Sequence, residues 1–309
     1  MDERSEQSAP EVRRLRFDWS ETETDQWHHT LPEFGSGANA ISLLMPHAEP
    51  YVIAMQRKGL AESDLDEAAK GATEALIAQE AAHFKAHRDF NEAISNNSWV
   101  ARRLDAFGAW IFRLLAKRSS AFGIAFAAAF EIFAFCSARW AEAGLRTYFG
   151  GADERSATLF LWHLAEEMEH KGVAHDVMDA HPMAKSRYRA AFVVAFAVLI
   201  GFTCIGGVSL FLRTRHALNP IRWFRLVSWG VSFAFVVLPV ASSSLSQDFH
   251  PDQLVDPPWM AMWLREFDPV SQTLPLWTEA GLVPRTPSRD GEPESRDGDP
   301  DTSPQVTAA

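Results

Sequence analysis

Cysteine is nearly missing from this chain: there are two in 309 residues, Cys136 and Cys204, each inside an apolar helical stretch. They give no disulfide framework and no thiolate metal site, and they suit a reducing compartment. Basic charge is also short. Lys and Arg number 29 against 40 Asp and Glu, a net charge of −11, which argues against a nucleic-acid partner. No stretch of any length alternates apolar and polar residues with period two, so no sheet is expected and the chain reads as all-α. Near the motifs described below there is neither a Gly-rich phosphate loop nor a basic cluster. The first 30 residues are charged and polar, with no secretory signal, so a cytoplasmic location is the expectation.

A content of 47% hydrophobic and 22% charged residues supports a globular protein with a sizeable core. Residues 1–40 read as a polar N-terminal arm, with Pro32, Gly35 and Gly37 as breakers and Phe17, Trp19 and Trp27 pinning it to the body. Residues 41–185 read as a helical bundle. Within it, Pro46 opens a short helix to about Lys58, and Ser63 caps a long helix over 64–95. Further helices cover about 103–148, with an interruption near Ser119, and about 153–180. Residues 186–285 form an additional apolar helical hairpin and a C-terminal segment that packs on the bundle or on a membrane. Ala190 to Leu212 carries no charge and is long enough to span a bilayer. A second apolar run covers Leu226 to Gln247, and Arg213, Arg215, Arg222 and Arg225 lie between the two. Two readings follow: a membrane surface met by the hairpin and its basic connector, or a hairpin buried on the bundle or in a homodimer. Residues 286–309, with six acidic and two basic side chains among Pro, Gly and Ser, read as a disordered acidic tail.

Two Glu-x-x-His pairs dominate what is present: Glu80/His83 and Glu167/His170. Positions i and i+3 lie about 60° apart around a helix, so each pair presents a carboxylate and an imidazole on one face. Each pair is preceded by an isolated glutamate, Glu49 and Glu131, and Glu131 is the only charge between Arg118 and Arg139. Buried unpaired in that apolar helix, Glu131 would cost several kcal/mol, so a cation is expected beside it. Four helices supplying Glu, Glu-x-x-His, Glu and Glu-x-x-His are the ligand inventory of a di-metal site in a ferritin-like four-helix bundle. His87 and His163 lie on the same faces as Glu80 and Glu167 and are candidate additional ligands. Glu166 and Glu169 fall about 100° and 160° from Glu167, toward neighbours or solvent.

Four carboxylates balance two divalent cations. An oxygen and imidazole donor set without thiolate suits iron first, with manganese or zinc as alternatives. Phe122, Phe126, Phe130, Phe133 and Phe135 make the surroundings of Glu131 strongly apolar. That favours O2-dependent oxidation of an apolar small molecule, with an electron donor as partner if the site is di-iron. Hydrolysis by a metal-activated water and a non-catalytic metal-binding or membrane-associated role are the alternatives. A rival reading takes His175 and Asp176 as the dyad of a helical phosphohydrolase, with His83 or His87 as partner.

The segments SLLMPHAEPYVIAMQRK (42–58), QEAAHFKAHRDFN (79–91), AFEIFAF (129–135), LWHLAEEMEHKGVAHDV (161–177) and DFHP (248–251) resemble a bacterial family described as predicted metal-dependent hydrolases. The resemblance runs from about residue 10 to residue 280 and implies a helical metalloprotein. Residues 47–50 read HAEP where the family has a Gly-Glu step. The ligand pattern is also similar to ferritin-like di-iron oxygenases with extra histidines, to which His87 and His163 would correspond.

Overall fold

A computed structural model describes residues 10–20, 26–182, 185–246 and 248–279. The tail expected at 286–309 and the first residues of the arm lie outside them. Nine α-helices make up the described chain: α1 (Pro32–Glu62), α2 (Glu67–Asn97), α3 (Trp99–Leu115), α4 (Ser120–Ala143), α5 (Leu145–Phe149), α6 (Glu154–Ala180), α7 (Lys185–Phe211), α8 (Pro220–Ser243) and α9 (Pro258–Leu264). Among the described residues the only β-structure is two isolated bridges. The fold is all-α, as the missing period-two pattern requires.

Most helix starts carry a side-chain cap. Asp66, Ser98, Ser119 and Asp153 each accept a hydrogen bond from a backbone N–H of the first turn of α2, α3, α4 and α6. Ser63, expected to cap α2, instead follows the end of α1, where its N–H donates to the Gly59 carbonyl. The interruption expected near Ser119 is present.

The start of α1 departs from expectation. The helix begins at Pro32 and runs through Pro46 and Pro50 without ending. Pro46 has no N–H for the Ser42 carbonyl four residues back. That carbonyl instead accepts from Asn91 Nδ2 of α2 at 2.7 Å, which offsets the lost ladder bond. Gly37 is not a breaker either. It lies where α7 crosses α1, and a Cβ on Gly207 would stand 3.2 Å from Gly37 Cα. The arm is pinned as its aromatics suggest. Trp27 is fully buried, donates to Asn39 Oδ1 at 2.9 Å and stacks on Phe160.

Helices α1, α2, α6 and α4 pack in a ring, each on the next. The apolar helix α4 is almost wholly buried, as a helix without a polar face must be. α7 covers the α1–α4 side. It buries Tyr188, Ala191, Phe192, Ala195, Leu199 and Phe202, a stripe at helical spacing. The expected hairpin is not a self-packed pair: α7 lies on α1 and α4, and α8 lies along α4. α8 is tied at both ends, by Arg222 to Glu33 at 2.8 Å and by Ser244 to Tyr188 at 2.8 Å. Its outer face stays exposed. Residues 248–279 fold back over α6, where Trp277 N–H donates to Thr158 Oγ1 and His250 pairs with Asp176 at 3.0 Å.

Candidate metal centre

The ring brings one functional side chain or more from each of its four helices to a common interior. α1 supplies Glu49, α2 supplies Glu80, His83 and His87, α4 supplies Glu131, and α6 supplies His163, Glu167 and His170. All eight are buried or nearly so; His163 is the most exposed, at 9%. Their ligand atoms fall into groups whose members lie within 4.8 Å of one another: Glu80, Glu131, Glu167 and His170; Glu49, Glu80 and His83; Glu49, His87 and His163; and His83, His163 and Glu167.

The heart of the cluster is His170. Its Nδ1 lies 2.9 Å from Glu80 Oε1, 3.3 Å from Glu167 Oε2 and 3.4 Å from Glu131 Oε2. Three carboxylates around one imidazole outweigh the cost of burial and hold His170 protonated, well above the usual histidine range. Glu167 is pulled well below the carboxylate range despite burial, chiefly by His170 and then by His163. Glu49 and Glu131 go the other way. Burial first, then the neighbouring carboxylates, push both well above the usual range, toward the protonated form.

Several buried atoms at the centre of this group lack a hydrogen-bond partner of proper geometry: both Glu49 oxygens, Glu131 Oε2, Glu167 Oε2, His83 Nδ1 and His170 Nδ1. Buried polar atoms are normally satisfied, and an unsatisfied set converging on one place is the pattern a cation would complete. The donor set therefore fits divalent metal.

Behind the imidazoles lies a second layer that local sequence patterns do not reveal. His83 Nε2 lies 2.7 Å from Glu166 Oε2, and Arg13 Nη1 donates to Glu166 Oε1 at 2.9 Å. Burial lowers His83 to about 3, so the ring is neutral, donates Nε2–H to Glu166 and leaves Nδ1 facing the cluster. Glu166, expected to face neighbours or solvent, is fully buried; burial raises it to about 7 against the pull of Arg13. His170 Nε2 donates to Gln79 Oε1 at 3.1 Å, and Gln79 Nε2 donates to Glu169 at 2.7 Å. Arg13 also donates to both oxygens of Glu169. One arginine from the N-terminal segment thus stands behind both Glu-x-x-His imidazoles. Such partners fix ring orientation and raise ligand basicity.

The tautomer of His87 follows from its neighbours. Asn91 Nδ2 is committed to the Ser42 carbonyl, so Asn91 Oδ1 accepts the Ser42 hydroxyl proton at 2.7 Å. The Ser42 oxygen, 2.8 Å from His87 Nδ1, must then accept Nδ1–H, and His87 Nε2 is left bare toward the cluster.

His175 and Asp176 do not join this centre. Asp176 holds His250, and His175 packs edge-on against Tyr188 and Phe249. The phenylalanines near Glu131 fill the core instead of lining an open pocket: Phe126 packs on Tyr51 and Phe112, and Phe133 on Phe192 and Phe196.

No curated protein and no solved structure matches this chain. Residues 11–254, which include every side chain of the cluster and the arginine behind it, match a family described as predicted metal-dependent hydrolase. On that match the chain belongs to the predicted metal-dependent hydrolase family.

Proposed function

We propose that this chain is a di-metal carboxylate enzyme of ferritin-like architecture. In this reading it holds two iron ions and uses O2 to oxidise an apolar small molecule, with electrons returned by a redox partner. The observation that carries it is the converging set of buried carboxylate and imidazole atoms without partners, inside a bundle whose other buried residues are mostly apolar. Two ferrous ions, when bound, supply electrons for O2 reduction. The protein's own residues do the rest. Glu49, Glu80, Glu131 and Glu167 provide four negative charges, and His83 and His170 each present Nδ1 with the other ring nitrogen already engaged. The packed phenylalanines exclude water.

A second reading, hydrolysis by a metal-activated water, is favoured by the family description. In this reading water would reach the centre beside His163, the most exposed member of the cluster. The discriminating experiment is rapid mixing of anaerobically reduced, iron-loaded protein with O2, beside assays on a panel of apolar esters. A transient charge-transfer absorption supports oxidation. Iron-loaded protein that stays inert to O2 and cleaves esters supports hydrolysis.

We infer as well that α8 rests on a membrane surface. Ile221, Phe224, Val227, Val231 and Phe235 form an exposed stripe on one side of the helix. At its start lie Arg213 and Arg215, and Arg213 stacks over the exposed Trp99 ring at 6.0 Å. α8 stays tied along the bundle, which supports lying on a bilayer over crossing it. Binding to vesicles containing anionic lipid should weaken by about 1 kcal/mol for each of Arg213 and Arg215 changed to Gln. Concentration-dependent dimerisation without vesicle binding would instead assign the stripe to a second copy.

A further inference from the structure

The extra histidines are not shared evenly between the two halves of the centre. His87 and His163 group with Glu49, and His163 groups again with His83 and Glu167; neither joins Glu131 and His170. The Glu131 side offers three carboxylates and one imidazole, and the Glu49 side offers up to three imidazoles.

The geometry at His87 and His163 sharpens this difference. His87 Nε2 and His163 Nδ1 stand 2.6 Å apart. The opposite nitrogen of each ring is engaged: His87 Nδ1–H with Ser42, and His163 Nε2 with Glu167 Oε1 at 2.8 Å. Two ring lone pairs this close repel unless a proton or a cation lies between them. Glu49 Oε1 sits 3.8 Å from His163 Nδ1 with no hydrogen bond of its own, and supplies the negative charge that a cation there would need.

We infer that the centre is two unlike metal pockets: an imidazole-rich one at Glu49, His87 and His163, and an oxygen-rich one at Glu80, Glu131, Glu167 and His170. The inference rests on the di-metal reading above and adds that the two ions differ in affinity and in kind. Imidazole selects borderline ions such as zinc and ferrous iron, whereas carboxylate is the better match for manganese. Zinc outcompetes manganese at either pocket, but its advantage is larger where nitrogen donors dominate.

The test is zinc titration of the full chain loaded with manganese, following released manganese by its aqueous six-line spin-resonance signal and bound metal by elemental analysis. The expected result has two phases. The first equivalent of zinc displaces one manganese, and the second manganese leaves only at higher zinc. In His163→Ala the tight first phase is lost and about one manganese per chain is retained. Ser42→Ala, which frees His87 Nδ1 and Asn91 Oδ1 but removes no ligand, weakens the same phase and keeps both ions. A single phase displacing both ions together in the unaltered chain overturns the inference, as does a tight first phase that survives in His163→Ala. Failure to bind any manganese or zinc would instead refute the di-metal reading on which the inference rests.

Discussion

Replacing Arg13 with Leu probes the layer behind the ligands without touching the centre. Arg13 is the cation within reach of Glu166, which is fully buried and stands at about 7 even with the guanidinium 2.9 Å away. Removing one partner of a buried pair costs about 3–5 kcal/mol when the other must stay charged. Glu166 can avoid part of that by taking a proton, since each further unit of pKa is worth about 1.4 kcal/mol. A loss of about 2–3 kcal/mol in the metal-free protein is therefore expected. A protonated Glu166 no longer draws on the His83 Nε2–H, and loss of such support weakens metal binding by about 10–100-fold. Chelator competition on folded protein measures the affinity, and denaturant unfolding of the metal-free protein measures the stability. Adding Glu166→Gln to Arg13→Leu should restore much of the stability, because a buried amide needs no cation. Unchanged metal affinity together with a stability change below about 0.5 kcal/mol would refute the reasoning.

Three other outcomes follow from the structure. Glu49, Glu131 and His170 are all shifted toward their protonated forms, so metal uptake should release protons and affinity should rise with pH; calorimetry in buffers of different ionisation enthalpy reads the release. His250 is raised to about 9 by Asp176 and Asp252, so its stabilising pair is fully present below about pH 6.5 and is lost as pH rises through about 9. Because its partners Asp176 and Asp252 are exposed, the pair should contribute less than about 1 kcal/mol, visible as faster hydrogen exchange over residues 248–264 above pH 9 but not in His250→Gln. A Cβ on Gly59 would stand 2.1 Å from Val177 Cγ1, so Gly59→Ala should destabilise by about 1–3 kcal/mol, with Val177→Ala restoring part of it in an unfolding assay.

Much of this was legible in the chain because helices write their faces at fixed spacing. The Glu-x-x-His pairs, the same-face His87 and His163, and the lone charge of Glu131 in an apolar helix locate eight side chains that the fold brings together. What local spacing misses is tertiary cover. Glu166 lies off the ligand face of α6, which for an exposed helix would mean solvent. Here Arg13 buries its far side, and residues 248–279 cover another part of the same helix. Arg13 itself sits in a polar stretch with no local signal of burial. Pro46 and Pro50 misplace the start of α1 because helix propensity cannot anticipate Asn91, 49 residues after Ser42, taking up the freed carbonyl. The apolar run of α7 is equally ambiguous by itself: the same residues suit a bilayer or the α1–α4 groove, and their packing stripe settles only one side of the helix.

The account turns on Glu131, the one charged side chain of α4's apolar interior. The most direct measurement is elemental analysis of the chain and of Glu131→Gln, each purified from cells grown with iron and manganese and checked for helicity. The amide keeps the shape and removes the charge. The account predicts two transition-metal ions per unaltered chain and loss of most of that metal from helical Glu131→Gln. Two ions retained at full occupancy in Glu131→Gln, or none in the unaltered chain, would contradict it.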